Sequence, residues 1–247
     1  MLMTEVEMDA NTHTPTALIA GASRGLGLAL TEALVERGWT VIGTARNLGR
    51  DPDRPCGLQA LRNRHPRHVT IERLDLLDAA GPAALRDRLA GRGLDLLFVN
   101  AGTTSAQPDQ PIGEVEASVF SHIMLTNALG PMRVIEAIDG LVVPGGTIGV
   151  MSSGQGSVAN NVSGRRELYR GSKAALNSFM RSYAARTASR GHPMVLMAPG
   201  WVRTELGGPD APIALEDSIA GMIEVLSGLP GHPGLHYLDY LGRVVPW

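Results

Sequence analysis

The chain of 247 residues contains one cysteine, Cys56, and one lysine, Lys173, and only 4% of its residues are aromatic. A lone cysteine excludes an internal disulfide and points to a reducing compartment, so a cytoplasmic location is expected. No apolar run approaches the ~18–20 residues that span a bilayer, and no membrane partner is expected. Residues 1–14 are polar and acidic (Glu5, Glu7, Asp9) and lack the charged-then-apolar build of a signal peptide. They are expected to form a disordered leader. Charge of one sign is missing as well: 22 basic side chains stand against 24 acidic ones, interleaved, for a formal net charge of −2. With no basic face and no alternation of aromatic and basic residues, no nucleic-acid partner is expected.

What is present is the composition of an ordinary globule, 44% hydrophobic and 19% charged. An apolar run at 16–20 breaks at Gly21 and reads as a buried strand. A helix with Leu26, Leu30, Ala33 and Leu34 on one face stops at Gly38, and a second strand covers 39–44. Strand, glycine turn, helix and strand within about 30 residues make a βαβ unit. Further strands are expected at 68–74, 94–99, 146–151, 193–198 and 235–238. Helices are expected at 83–90, 114–138, 167–189 and 215–226, with a short one near 58–62 inside an otherwise loop-like 47–67. The alternation runs on without internal repeat or linker. It predicts an α/β fold, a single doubly wound Rossmann-type domain over 15–247, with a parallel sheet of about seven strands and helices on both faces.

The first turn, Gly21-Ala22-Ser23-Arg24-Gly25-Leu26-Gly27, suits a phosphate. Glycines let the backbone approach closely, and the helix amino terminus offers N–H groups and a positive dipole end. NAD-binding folds usually place an acid at the end of the second strand. Here that strand ends Gly43-Thr44-Ala45-Arg46. The missing acid, with Arg46 and Arg24 in reach of a 2′-phosphate, favours NADP(H) over NAD(H).

Lys173 is the one lysine among 22 basic residues, the rest being arginine. A lysine ammonium can be tuned where a guanidinium cannot. Tyr169, four residues earlier on a helix, shares its face. A cation some 4 Å from the phenol, at an effective dielectric near 20, favours phenolate by roughly 4 kcal/mol, or about three pKa units. Tyr-x-x-x-Lys alone is commonly a surface coincidence, and a polar residue in mid-helix such as Asn127 is commonly solvated.

Taken together the motifs resemble the short-chain dehydrogenase/reductase family. Ala20-Gly21-x-x-x-Gly25-x-Gly27, Asn100-Ala101-Gly102, Asn127, Ser153, Tyr169-x-x-x-Lys173 and Pro199-Gly200 stand in that family's order. Segments 169–177 and 199–204 and the closing Val-Pro-Trp are similar to the branch of the C-factor and small carbonyl reductases. The resemblance implies an NADP(H)-dependent oxidoreductase moving hydride between nicotinamide and a small-molecule carbonyl/alcohol pair. Tyr169 is then the general acid/base, Lys173 tunes it and holds the nicotinamide ribose, Ser153 binds the substrate oxygen, and Asn127 positions a water behind the lysine. Ser152 is the rival for the serine role. Gly21, Ser23, Arg24, Gly25 and Leu26 would meet the phosphates, Asp75 and Leu76 the adenine, and Asn100, with Ala101 and Gly102, the adenine ribose region. Val202 and Thr204 would bind the carboxamide end of the nicotinamide, and Pro199 and Gly200 would also meet the cofactor. The family pairs long helices between subunits, which implies a homo-oligomer, dimer or tetramer.

Two departures stand out: Ala20 replaces a common threonine, and the loop between Ser153 and Tyr169 is longer than usual. That loop could form part of a lid in which Arg165 or Arg166 meets an anionic substrate, but both arginines are expected to be solvated. No metal is expected, since His65 and His68 lack a third ligand, and no Gly-x-Ser-x-Gly elbow supports a hydrolase. The alternatives are a nucleotide-binding signalling protein of the same fold, or an isomerase or cyclase reusing the tyrosine acid. The substrate would be set by loops 103–113, 154–166 and 201–212, whose sequences name no ligand.

Overall fold

Continuous apolar runs build the centre of the molecule, as a computed structural model describes it over residues 13–47 and 57–247. Cys56, residues 1–12 of the expected leader and residues 48–56 of the expected loop lie outside the described residues. His13, at the end of that leader, sets Nε2 2.9 Å from a carboxylate oxygen of Asp95.

Seven strands form one parallel sheet: β1 (Thr16–Ala20), β2 (Thr40–Ala45), β3 (Val69–Arg73), β4 (Leu94–Val99), β5 (Val142–Met151), β6 (Pro193–Ala198) and β7 (Gly234–Asp239). Their order across the sheet is β3-β2-β1-β4-β5-β6-β7. The chain reverses its direction of winding between β1 and β4, where such folds open a ligand crevice at the carboxyl ends of the strands.

The period of two sends neighbouring residues to opposite faces. Leu18, Ile42, Leu97, Ile148 and Leu196 pack on one face against α3 (Gly81–Arg88), α5 (Gly130–Ile138) and α6 (Glu167–Arg186). Ile19, Val41, Phe98, Val195 and Met197 pack on the other against α1 (Gly25–Glu36), α2 (Gly57–Arg64) and α7 (Leu215–Gly228). Both faces are covered, which is why the strands read as continuous apolar runs.

Two expectations need correction. The helix expected over 114–138 is not continuous. It is α4 (Ala117–Met124), then a π turn (Leu125–Leu129), then α5. Pro131 has no N–H to give the Asn127 carbonyl four residues back, and its ring would crowd it. The wider π turn accommodates that proline. Strand β5 also starts at Val142 rather than 146. Val142 pairs with Leu94 across a bulge, so Pro144, Gly145 and Gly146 lie inside the strand.

Candidate active site

A cleft of about 650 Å³ opens over the carboxyl ends of β1, β2, β4, β5 and β6. One end is the glycine turn between β1 and α1. The end of β2 pins it: Gly21 N donates to the Thr44 hydroxyl at 3.0 Å and Ala22 N to the Thr44 carbonyl at 2.9 Å. From β4, the Asn100 amide donates to the Gly21 carbonyl at 2.9 Å. A side chain at Gly27 would begin 2.1 Å from that carbonyl and 2.5 Å from the Asn100 amide, so only glycine fits. Asn100 therefore braces the glycine turn.

No side chain caps the amino terminus of α1, and a Cβ at Gly25 would stand in open space. Helix dipole, uncapped first turn and open approach together fit a diphosphate. Arg24 and Arg46, both exposed, stand at this end. Arg24 is paired with Glu205 at 2.5 Å, whereas Arg46 makes no ion pair among the described residues. Asp75 and Leu76 line the same end; the Asp75 carboxylate accepts from Leu77 N at 3.0 Å and Leu76 is largely in the core.

The other end is built by β5, α6 and the π turn. Tyr169 and Lys173 lie one helical turn apart on α6, and Lys173 is 2% exposed with Nζ donating to the Met151 carbonyl at 2.9 Å. Burial draws its pKa down from 10.5 to about 8. Burial also raises the Tyr169 phenol above its ordinary value, against the pull of the Arg166 guanidinium and a hydrogen bond with the Ser153 hydroxyl. The sequence argument expected Lys173 to lower that phenol. Here Lys173 lies 5.9 Å from the ring centroid while Arg166 is at 4.9 Å, and desolvation outweighs the pull of Arg166.

The two serines point apart. Ser153 meets Tyr169, while Ser152, buried, donates to Asn177 Oδ1 at 2.6 Å. Behind them Tyr237 donates to the Ser153 carbonyl at 2.5 Å, and its ring packs on Trp247 with centroids 5.5 Å apart. Asn127 is fully buried rather than solvated. Its amide oxygen accepts from Thr103 N at 2.8 Å, and its nitrogen donates to the Thr103 carbonyl at 2.8 Å and the Ser172 hydroxyl at 3.0 Å.

The family model for short chain dehydrogenases matches residues 15–212. The chain belongs to the short-chain dehydrogenase family. It is 39% identical over 161 residues to the C-signal of Myxococcus xanthus, covering 62% of this chain and 93% of that protein. A short-chain dehydrogenase/reductase of Burkholderia multivorans, solved with bound NADP, is 55% identical and superposes with a TM-score of 0.91 over 95% of this chain and all (100%) of that one. A carbonyl reductase of Pseudomonas aeruginosa in complex with NADP is 36% identical, with a TM-score of 0.86 over 95% and 100%.

In this short-chain dehydrogenase the cleft gathers every site residue named from the sequence except Asn127, which supports its wall from behind. Ala101, Gly102, Pro199, Gly200, Val202 and Thr204 line its middle. The Thr204 hydroxyl accepts from Gly207 N at 3.0 Å and the Pro199 carbonyl accepts from Ser218 at 2.8 Å, so both also shape the loop after β6. The sequence argument gave no individual role to Thr104, His122, Thr126 or Gln155, which line the Tyr169 end together with Arg166. They sit in loops, in the last turn of α4 and in the π turn, where no motif marks a direction.

Proposed function

We propose that the protein is an NADP(H)-dependent oxidoreductase that interconverts a small-molecule carbonyl and its alcohol in the cytoplasm, as a homo-oligomer. One observation carries the reading: Tyr169, Ser153 and Lys173 meet at one end of the same cleft whose other end suits a diphosphate. Arg46, without an ion-pair partner among the described residues, supports a 2′-phosphate there, and the NADP-bound relatives support the same choice. Gly21, Ser23, Gly25 and Leu26 would hold the diphosphate, and Val202 and Thr204 the carboxamide end. Bound in this way, the nicotinamide supplies hydride to the carbonyl carbon.

The chain's own residues handle the proton. Ser153 donates a hydrogen bond to the carbonyl oxygen and Tyr169 gives that oxygen its proton, leaving phenolate. Lys173 faces the charge so formed, and its pKa of about 8 suits proton exchange near neutrality. A phenol held protonated by burial serves as an acid, which favours the reductive direction. Asn127 braces the loop at Thr103 and helix α6 at Ser172, keeping the wall behind the lysine in place.

Tyr169→Phe tests the mechanism. Turnover is expected to fall by about 10²–10⁴-fold, the size of general-acid contributions, with NADPH affinity within a few-fold of the parent. Activity equal to the parent's would sink it. Fluorescence titration with NADPH and NADH tests the cofactor. Tight NADPH binding is expected, with Arg46→Asp losing roughly 10-fold or more, as for a charge-assisted contact worth about 1.5–3 kcal/mol. Binding of neither cofactor would favour the signalling reading, which the likeness to a C-signal keeps as the second one.

A further inference from the structure

Among the described residues five buried side-chain polar atoms have no hydrogen-bond partner, and four of them surround the Tyr169 end of the cleft. They are Thr104 Oγ1, Thr126 Oγ1, Gln155 Oε1 and Arg166 Nε. They come from four separate stretches: the loop after β4, the π turn, the 3₁₀ turn after β5 (Gly154–Gly156) and the loop before α6. Buried polar groups are almost always paired, so a cluster of exceptions in one cavity wall asks for a partner that is not protein.

Arg166 is the centre of the cluster. It has no carboxylate partner among the described residues, although seven other arginines do. Its guanidinium stacks over the Tyr169 ring, with Cζ 4.9 Å from the centroid. Arg166 is also the one non-glycine residue with positive φ among those described, at φ 60° and ψ 41°. That left-handed conformation is costly for a side chain with a Cβ. The turn is clamped by Arg170, whose Nε donates to the Arg165 carbonyl at 2.7 Å and whose Nη2 donates to Ser163 Oγ at 3.1 Å. Backbone strain here is held in place, and it sets a guanidinium beside the phenol.

The charge around this end is one-sided. Lys173 and Arg166 face it. The acids that line the cleft are Asp75, at the far end, and Glu205, which is occupied by Arg24. We propose that Arg166, with Thr104, Thr126 and Gln155, forms an anion subsite for the substrate, so that the carbonyl compound reduced here is an oxo acid. This rests on the oxidoreductase reading of Tyr169. The carboxylate takes the Arg166 N–H groups and the two threonine hydroxyls. Gln155 Oε1, an acceptor, takes a hydroxyl or N–H on the same molecule. Since Tyr169 serves one group and Arg166 stacks on its ring, carboxylate and carbonyl lie within a few bonds of each other.

The test compares acids with their neutral esters on the NADPH-loaded protein: acetoacetate against methyl acetoacetate, and 2-oxobutanoate against methyl 2-oxobutanoate. The parent is expected to prefer the acids by at least 10-fold in kcat/KM. Arg166→Gln is expected to lower the acid-to-ester ratio by at least 10-fold, mainly through KM, and Arg166→Lys to restore part of it. A parent that prefers the esters, or a variant that loses acid and ester alike, overturns the subsite while leaving the oxidoreductase reading intact. Calorimetric titration with benzoate and benzamide, neither reducible, decides the subsite without turnover. Benzoate should bind the parent, and more weakly to Arg166→Gln, with benzamide binding neither. No benzoate binding, or equal binding to both proteins, overturns the proposal. Benzoate binding without NADPH oxidation by any of the four carbonyl compounds would instead count against the oxidoreductase reading.

Discussion

Lys173 sits in the core with its ammonium given one carbonyl, and burial holds its pKa at about 8 against 10.5. The folded protein therefore binds fewer protons than the unfolded chain between those two values, and stability rises with pH through that window. Below about pH 8 the full penalty is present: (10.5 − 8) units at about 1.4 kcal/mol each, or roughly 3 kcal/mol. Lys173→Met should remove it, less about 1–2 kcal/mol for leaving the Met151 carbonyl unpaired. The variant is expected to be inactive yet more stable by about 1–2 kcal/mol at pH 7. Urea midpoints at pH 7 and 10 check this, and the advantage should vanish at the higher pH. A variant less stable than the parent at pH 7 would show the ammonium to be well compensated. At this scale the sequence was informative where a residue type was rare. A single lysine drew attention to Lys173, whereas Arg166 was one arginine among 21 and its direction depended on a left-handed backbone that no neighbouring residue announces.

Helices and strands were legible in proportion to the regularity of their burial. The strands β1, β4 and β6 have the bounds that apolar runs predict, because both faces of the sheet are covered and every position is under the same demand. The π turn was not legible from periodicity, which continues across it. The signal available was Pro131, seven residues into the helical pattern from Met124, since a proline there must displace the carbonyl of Asn127. Asn127 itself looked solvated for want of that correction. The network behind Ser153 was hidden for another reason. Tyr237 and Trp247 lie 84 and 94 positions away in the chain, and only the placement of β7 beside β6 brings them to the catalytic loop.

At the scale of the whole molecule, an apolar surface stands uncovered where the catalytic elements meet. Ile112, Phe120, Met124, Leu168 and Gly171, with Glu167 at their side, line a groove of about 220 Å³ between α4 and the first turns of α6. Phe120 is 44% exposed, and Val119 and Leu125 beside it are 38% and 37% exposed. Scattered apolar side chains on a surface are ordinary, but a contiguous group marks a contact. A second copy presenting the same groove would cover it symmetrically, as closed dimers do. Light scattering should give the parent the mass of a dimer or tetramer, and Phe120→Glu should lower that mass by burying charge in the contact. Its Tm should then depend on protein concentration more steeply than the parent's. Activity should fall with the mass, because α4 runs into the π turn that carries Asn127, and α6 carries Tyr169 and Lys173. A parent that is monomeric at every concentration would remove the contact, and the groove would have to be explained without a partner. A dissociated but fully active variant would separate assembly from catalysis, showing that Asn127 and the Ser153 network hold the site without help from a neighbour.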